Sequence, residues 1–118
     1  MRLDKNNLPY LKDILEAIDL IEVYIQDAPD FEEFINGRGL YQDAIVRNIE
    51  IIGEATKKVD DAFKVNHLEI PWKQMAGMRD KIVHEYADID WEEVWKVATE
   101  DIKELKVSIE TALGSASA

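Results

Sequence analysis

Apolar residues recur at intervals of three and four along almost the whole chain, and they alternate nowhere for long enough to make a useful strand. Leu11, Ile14, Leu15, Ile18, Ile21 and Ile25 form the first such stripe, with Asp13, Glu16, Asp19 and Glu22 opposite. This predicts a helix from about Leu8 to Gln26, with Asn7 as N-cap and Pro9 in the first turn, where a missing donor costs nothing. Ala28, Pro29 and Asp30 end it, and Asp30 is suited to cap a short helical turn through Phe31, Phe34 and Ile35. Gly37 and Gly39 around Arg38 mark a loop.

A second stripe runs from about Leu40 to Val59 through Leu40, Ile45, Ile49, Ile52 and Val59, broadened by Val46 and Ile51. Such breadth suits a central helix touching several partners. Gly53 inside it costs about 1 kcal/mol relative to alanine, so a compensating close approach of a neighbouring helix is expected. Arg47, Glu50 and Glu54, at steps of three and four, read as a surface ion-pair ladder. Asp60 to Glu69 is polar and irregular, and His67 within it reads as loop surface.

Pro71 fits the first position of a further helix carrying Trp72, Met75, Met78, Ile82 and Val83 and reaching about Tyr86. Asp90 with Glu93 three residues on is an aspartate form of the capping box. The last helix follows, with Trp91, Val94, Trp95, Ala98, Ile102, Leu105, Ile109 and Leu113 on one stripe, and Gly114 is its expected stop. The three tryptophans and Met75 and Met78 read as packing residues.

The expected fold is therefore all-α: an antiparallel bundle of four main helices plus a short additional helix between the first and second. Residues 1–113 form a single domain, with 114–118 a short flexible tail, and the long helices leave apolar surface on which a second chain can dimerise. A formal charge of −11 with 47% hydrophobic residues describes a folded acidic domain and excludes a broad basic face for nucleic acid. Both halves of the chain are net acidic. With no cysteine, disulfides, thiolate metal sites and cysteine nucleophiles are excluded. No apolar run approaches the roughly 20 residues needed to span a bilayer, and the first residues lack a signal core, so a cytoplasmic chain with no membrane partner is expected.

Imidazole chemistry has two candidates, His67 and His84, and only His84 has company: Arg79 and Asp80 precede it and Tyr86 follows. On an ideal helix a step of five sets Arg79 and His84 roughly 140° apart. They can cooperate only if the helix ends or distorts near His84, or if two chains each contribute a pair across a two-fold axis. Imidazole moves protons near neutral pH, and a guanidinium holds a phosphate oxygen through a rigid fork of donors, so the pair suits phosphodiester cleavage without a metal.

Arg79-Asp80-x-x-x-His84 with Tyr86 two residues on resembles the Arg-polar-x-x-x-His motif of the HEPN superfamily, in the extended form of its HepT-like branch. Arg47-Asn48-Ile49-Glu50-Ile51-Ile52-Gly53-Glu54-Ala55 is similar to that branch's second signature, as is Ile70-Pro71-Trp72 leading into Gly77 to Tyr86. The resemblance implies a homodimeric, metal-independent ribonuclease needing no cofactor, the toxin of a prokaryotic toxin–antitoxin pair. It implies Arg79 and His84 as catalytic, Asp80 as their support, and Tyr86 as acceptor of AMP from a partner nucleotidyltransferase of the MntA type. The competing reading from the residues alone is a nonenzymatic helical module that binds a nucleotide or a protein.

Overall fold

The computed structural model describes residues 7–28, 30–36, 40–83 and 88–117. Helix α1 (Leu8–Ile25) buries Leu11, Ile14, Ala17, Ile18 and Ile21, the stripe expected of it. It packs along most of α3 (Leu40–Lys58), which contributes Ile45, Val46, Ile49, Ile52 and Ala55 to the same core. Each fully buried isoleucine stabilises the fold by roughly 1.5–3 kcal/mol relative to exposure. Asn7 does not cap its own helix with its side chain. Its Oδ1 instead accepts from the Asp60 backbone N–H at 2.9 Å, which ties the head of α1 to the chain leaving α3.

Between them α2 (Phe31–Ile35) is capped as expected, the Glu33 N–H donating to Asp30 Oδ1 at 2.9 Å. Phe34 is buried with ring centroids 5.4 Å from Trp95 and 6.0 Å from Trp91, so this single turn docks on the last helix through aromatic contacts. The glycines flanking Arg38 fall outside the described residues.

The expectation of an irregular stretch from Asp60 to Glu69 is corrected: α4 (Asp61–Asn66) forms there. One apolar side chain anchors it. Phe63 is buried, its ring stacked 4.2 Å from that of His67 and set edge-on to Trp72. His67 is therefore not loop surface but a buried residue, 8% exposed, and its carbonyl accepts from Trp72 Nε1 at 2.9 Å.

The single helix expected after Pro71 is two, α5 (Trp72–Ala76) and α6 (Met78–Ile82), separated at Gly77. Pro71 is the N-cap of α5 rather than its first helical residue, and α6 stops well short of Tyr86. Gly53 shows why α5 sits where it does. A β-carbon there would lie 3.6 Å from the carbonyl oxygens of both Met75 and Ala76, the close helix approach expected from the sequence.

The last helix is α7 (Trp91–Lys96) followed by a π-helical segment, Val97–Asp101, and then α8 (Ile102–Ser117), which runs past the stop expected at Gly114. Val97, Ala98, Ile102, Leu105 and Ile109 complete the core against α1. Lys106 clamps the two together, its Nζ 2.8 Å from Glu22 Oε1 and 3.2 Å from Asp19 Oδ1. These two carboxylates hold the ammonium well above the usual lysine range. The architecture is an all-α bundle, and no helix among the described residues is long and apolar enough to cross a membrane.

Candidate functional site

Five residues make α6, and their spacing determines what it shows to solvent. Met78 and Ile82, four apart, are buried and fix the helix to the core. Arg79, Asp80 and Lys81 therefore face outward. The Arg79 side chain is half exposed, with Nη1 3.7 Å from Asp80 Oδ1, a loose contact that leaves most of the guanidinium donors available.

Lys81 reaches across to α7, where its Nζ lies 3.2 Å from Glu93 Oε1. This contact alters the expected capping box. The Glu93 N–H donates to Asp90 Oδ1 at 3.1 Å, as the box requires. The Asp90 N–H, however, donates to the Ile82 carbonyl at 2.8 Å, while the Glu93 side chain meets Lys81.

Helix α6 ends at Ile82, and Val83 is already extended, with φ −112° and ψ 118°. Val83 then forms an antiparallel bridge with Ile89. The exit from α6 and the approach to α7 are thus joined before the intervening residues are reached. Of the sequence-predicted site residues, the structure brings Arg79 and Asp80 together, and His84 and Tyr86 lie outside the described residues.

Beside the motif helix a cleft of about 230 Å³ opens between α5–α6 and the last helix. Gln74, Met78 and Lys81 line one wall, and Lys96, Val97, Asp101 and Glu104 line the other. Sequence reasoning missed the second wall because Lys96 and Asp101 are five residues apart, roughly 140° on an α-helix. The π-helical segment, with its i→i+5 register, lets both reach one cleft.

Elsewhere the residues play structural parts. Arg47, Glu50 and Glu54 do not form the ladder expected of them. They line a shallow groove with Tyr10 and Lys58, and Glu54 Oε1 lies 3.8 Å from Lys57 Nζ. Trp72, Met75 and Met78 are buried, while Trp91 and Trp95 pack against the core from its edge. Among the described residues, no three His, Asp or Glu side chains are grouped to hold a metal ion.

Comparison with known proteins places this geometry in a lineage. Residues 14–112 match the family described as Ribonuclease HepT-like. A Thermococcus cleftensis protein named "Probable ribonuclease HepT" is 44% identical over 106 residues, covering 90% of this chain and 94% of that protein. A Methanocaldococcus jannaschii protein, named provisionally as an RNase, is 41% identical over 101 residues, 86% of this chain and 85% of its own. A Caldanaerobacter subterraneus protein, also named provisionally as an RNase, is 36% identical over 109 residues, covering 92% and 96%. No solved structure matches the chain. With the family match spanning most of the bundle, α6 included, and relatives aligned over nearly their full length, this chain belongs to the HepT-like ribonuclease family.

Proposed function

We propose that the chain is a metal-independent endoribonuclease, the toxin of a toxin–antitoxin pair, whose homodimer assembles one site from two Arg79–His84 pairs. The observation that carries this reading is the coincidence of full-length kinship with HepT-like ribonucleases and the intact Arg79-Asp80-x-x-x-His84 motif. The end of α6 at Ile82 supports it, because a helix continued to residue 84 would hold the two motif residues on different faces.

The reaction is transesterification. His84 takes the proton of a ribose 2′-hydroxyl, whose oxygen attacks phosphorus, and the 5′ oxygen leaves with a proton returned by an imidazolium. Arg79 stabilises the charge developing on the phosphoryl oxygens, and Asp80 restrains Arg79 from the adjacent position. Silencing follows from transfer of AMP from ATP to the Tyr86 hydroxyl by an MntA-type nucleotidyltransferase, with pyrophosphate as leaving group. Two residues from His84 in the chain, the added phosphate repels the RNA backbone.

RNA cleavage in the presence of EDTA by wild type, Arg79→Ala and His84→Ala proteins tests the reading. Cleavage by wild type alone, leaving a 2′,3′-cyclic phosphate, is expected. Intact RNA with all three proteins overturns the enzyme and favours a binding module. Intact mass after incubation with the nucleotidyltransferase and ATP should show one AMP on the chain, absent in Tyr86→Phe.

A further inference from the structure

We propose that Glu93, acting through Lys81, sets the rotation of α6 about its own axis and is thereby a positioning residue for Arg79, an inference that rests on the ribonuclease reading. Glu93 is an acidic side chain for which the proposed chemistry has no task. It is 23% exposed, its Oε1 is buried and accepts no hydrogen bond, and the Lys81 ammonium 3.2 Å away is the cation that compensates it. Removing that cation strands a carboxylate oxygen away from water, so the contact is held more firmly than an ion pair in open solvent. The choice of partner is informative. In a capping box Glu93 would turn back to the Asp90 N–H of its own helix; that N–H goes to the Ile82 carbonyl instead, and the carboxylate crosses to α6.

Helix α6 has five residues and packs between α3 and α7. Met78 and Ile82 lie on one line along its buried side, so they set its depth and leave its roll about that line to the contacts on its flanks. Lys81 and Arg79 stand roughly 200° apart around the helix, on opposite flanks. Holding the Lys81 flank against α7 therefore turns the Arg79 flank away from α7, toward the side where α3 packs. The backbone links from Asp90 to Ile82 and between Val83 and Ile89 fasten the end of α6 but lie at or beyond its last residue. The Lys81–Glu93 pair is the side-chain contact placed to resist rolling.

Small rolls matter at the rim of a helix. At an outer radius of roughly 5–6 Å, a roll of about 15° carries a side chain about 1.4 Å. Displacement of about 1 Å in a catalytic group costs up to about a hundredfold in rate, and a planar guanidinium fork depends on its direction of approach more than a point charge does. Asp80, 3.7 Å from Arg79, belongs to the same helix and rolls with it. Glu93 refers Arg79 to the body of the bundle instead, because α7 is anchored there by the buried Val94.

The test is RNA cleavage kinetics well below every melting temperature. Glu93→Gln and Lys81→Met should each lower kcat about tenfold or more with KM within about twofold of wild type, and the double variant should be no slower than the worse single one. Lys81→Arg, which keeps a cation, should stay close to wild type. Lys106→Met, which breaks an ion pair elsewhere in the bundle, should lower the melting temperature and leave kcat unchanged. Unchanged kcat in either single variant, losses that multiply in the double, or an equal loss in Lys106→Met overturns the proposal. So does a raised KM with unchanged kcat in Lys81→Met, which makes Lys81 an RNA contact. If Glu93→Gln melts too low to assay, Lys81→Met, altered at a side chain that is 55% exposed, carries the test. A second measurement is independent of cleavage: the Arg79 Nε–H resonance, identified by its absence in Arg79→Lys, should shift in Glu93→Gln and Lys81→Met but not in Lys106→Met. A resonance that stays in place overturns the positioning role. If it shifts while wild type leaves RNA intact, the ribonuclease reading falls and the control of α6 by Glu93 stands.

Discussion

Gly53 of α3 and Ala76 of α5 face one another so closely that a β-carbon on Gly53 would sit 3.6 Å from the Ala76 carbonyl oxygen. That is an ordinary van der Waals separation with no room beyond it. Gly53→Ala should therefore be tolerated and, through helix propensity, gain up to about 1 kcal/mol. Gly53→Leu should lose about 1–3 kcal/mol by overpacking and lower the melting temperature by several degrees or more. Thermal unfolding of both variants checks the pair, and a melting temperature for the alanine variant far below wild type would contradict the geometry.

Asp90 works in two directions, its side chain capping α7 through the Glu93 N–H and its backbone N–H bonding the Ile82 carbonyl at the end of α6. Asp90→Ala should remove the cap and cost about 1 kcal/mol. Asp90→Pro removes the backbone donor as well, so it should cost more and loosen the end of α6. Urea unfolding midpoints for the two variants give the difference directly.

The Lys106 clamp predicts a pH dependence whose sign follows from its direction. Glu22 and Asp19 raise the folded-state pKa of Lys106 above its ordinary value of 10.5. Its contribution to stability is therefore complete below that value and is lost as pH climbs through the higher folded-state value. The melting-temperature gap between wild type and Lys106→Met should stay constant from neutral pH to about 9.5 and narrow in stronger alkali. Added salt should shrink it throughout, because the side chain retains 33% exposure.

Arg79→Lys keeps the charge of the motif residue but replaces a planar fork with a point donor. If the guanidinium stabilises the phosphoryl group, kcat for RNA cleavage should fall by about a hundredfold or more, with the melting temperature within a degree or two of wild type. Asp80→Asn, which removes only the 3.7 Å restraint, should have a smaller effect. Single-turnover cleavage rates measured beside melting curves separate lost chemistry from lost fold.

The long stripes of α1, α3 and the last helix were legible because each buries one continuous apolar face, and the fold class followed from them, while the family was legible separately in Arg79-Asp80-x-x-x-His84. Short-range features were not. Helix α4 hides in a polar stretch because its anchor is a tertiary stack of Phe63, His67 and Trp72, invisible to periodicity. The break at Gly77 leaves the apolar pattern intact on both sides, since Met75 and Met78 are buried in different helices. The π-helical segment carries no compositional sign at all, and with it the cleft wall of Lys96 and Asp101 escaped notice. Of the motif itself, Arg79 and Asp80 lie exposed on α6, while His84 and Tyr86 lie outside the described residues.

The contact between Lys106 and Glu22 joins residues 84 positions apart, and the core beneath it pairs the first helix with the last. On a ribosome, α1 waits for α8 to emerge before the bundle can close, and the motif helix lies between them in the chain. Non-local closure of this kind delays the native frame until α8 has been made. The frame around α6, which carries Arg79, is therefore completed only after α8 has docked on α1.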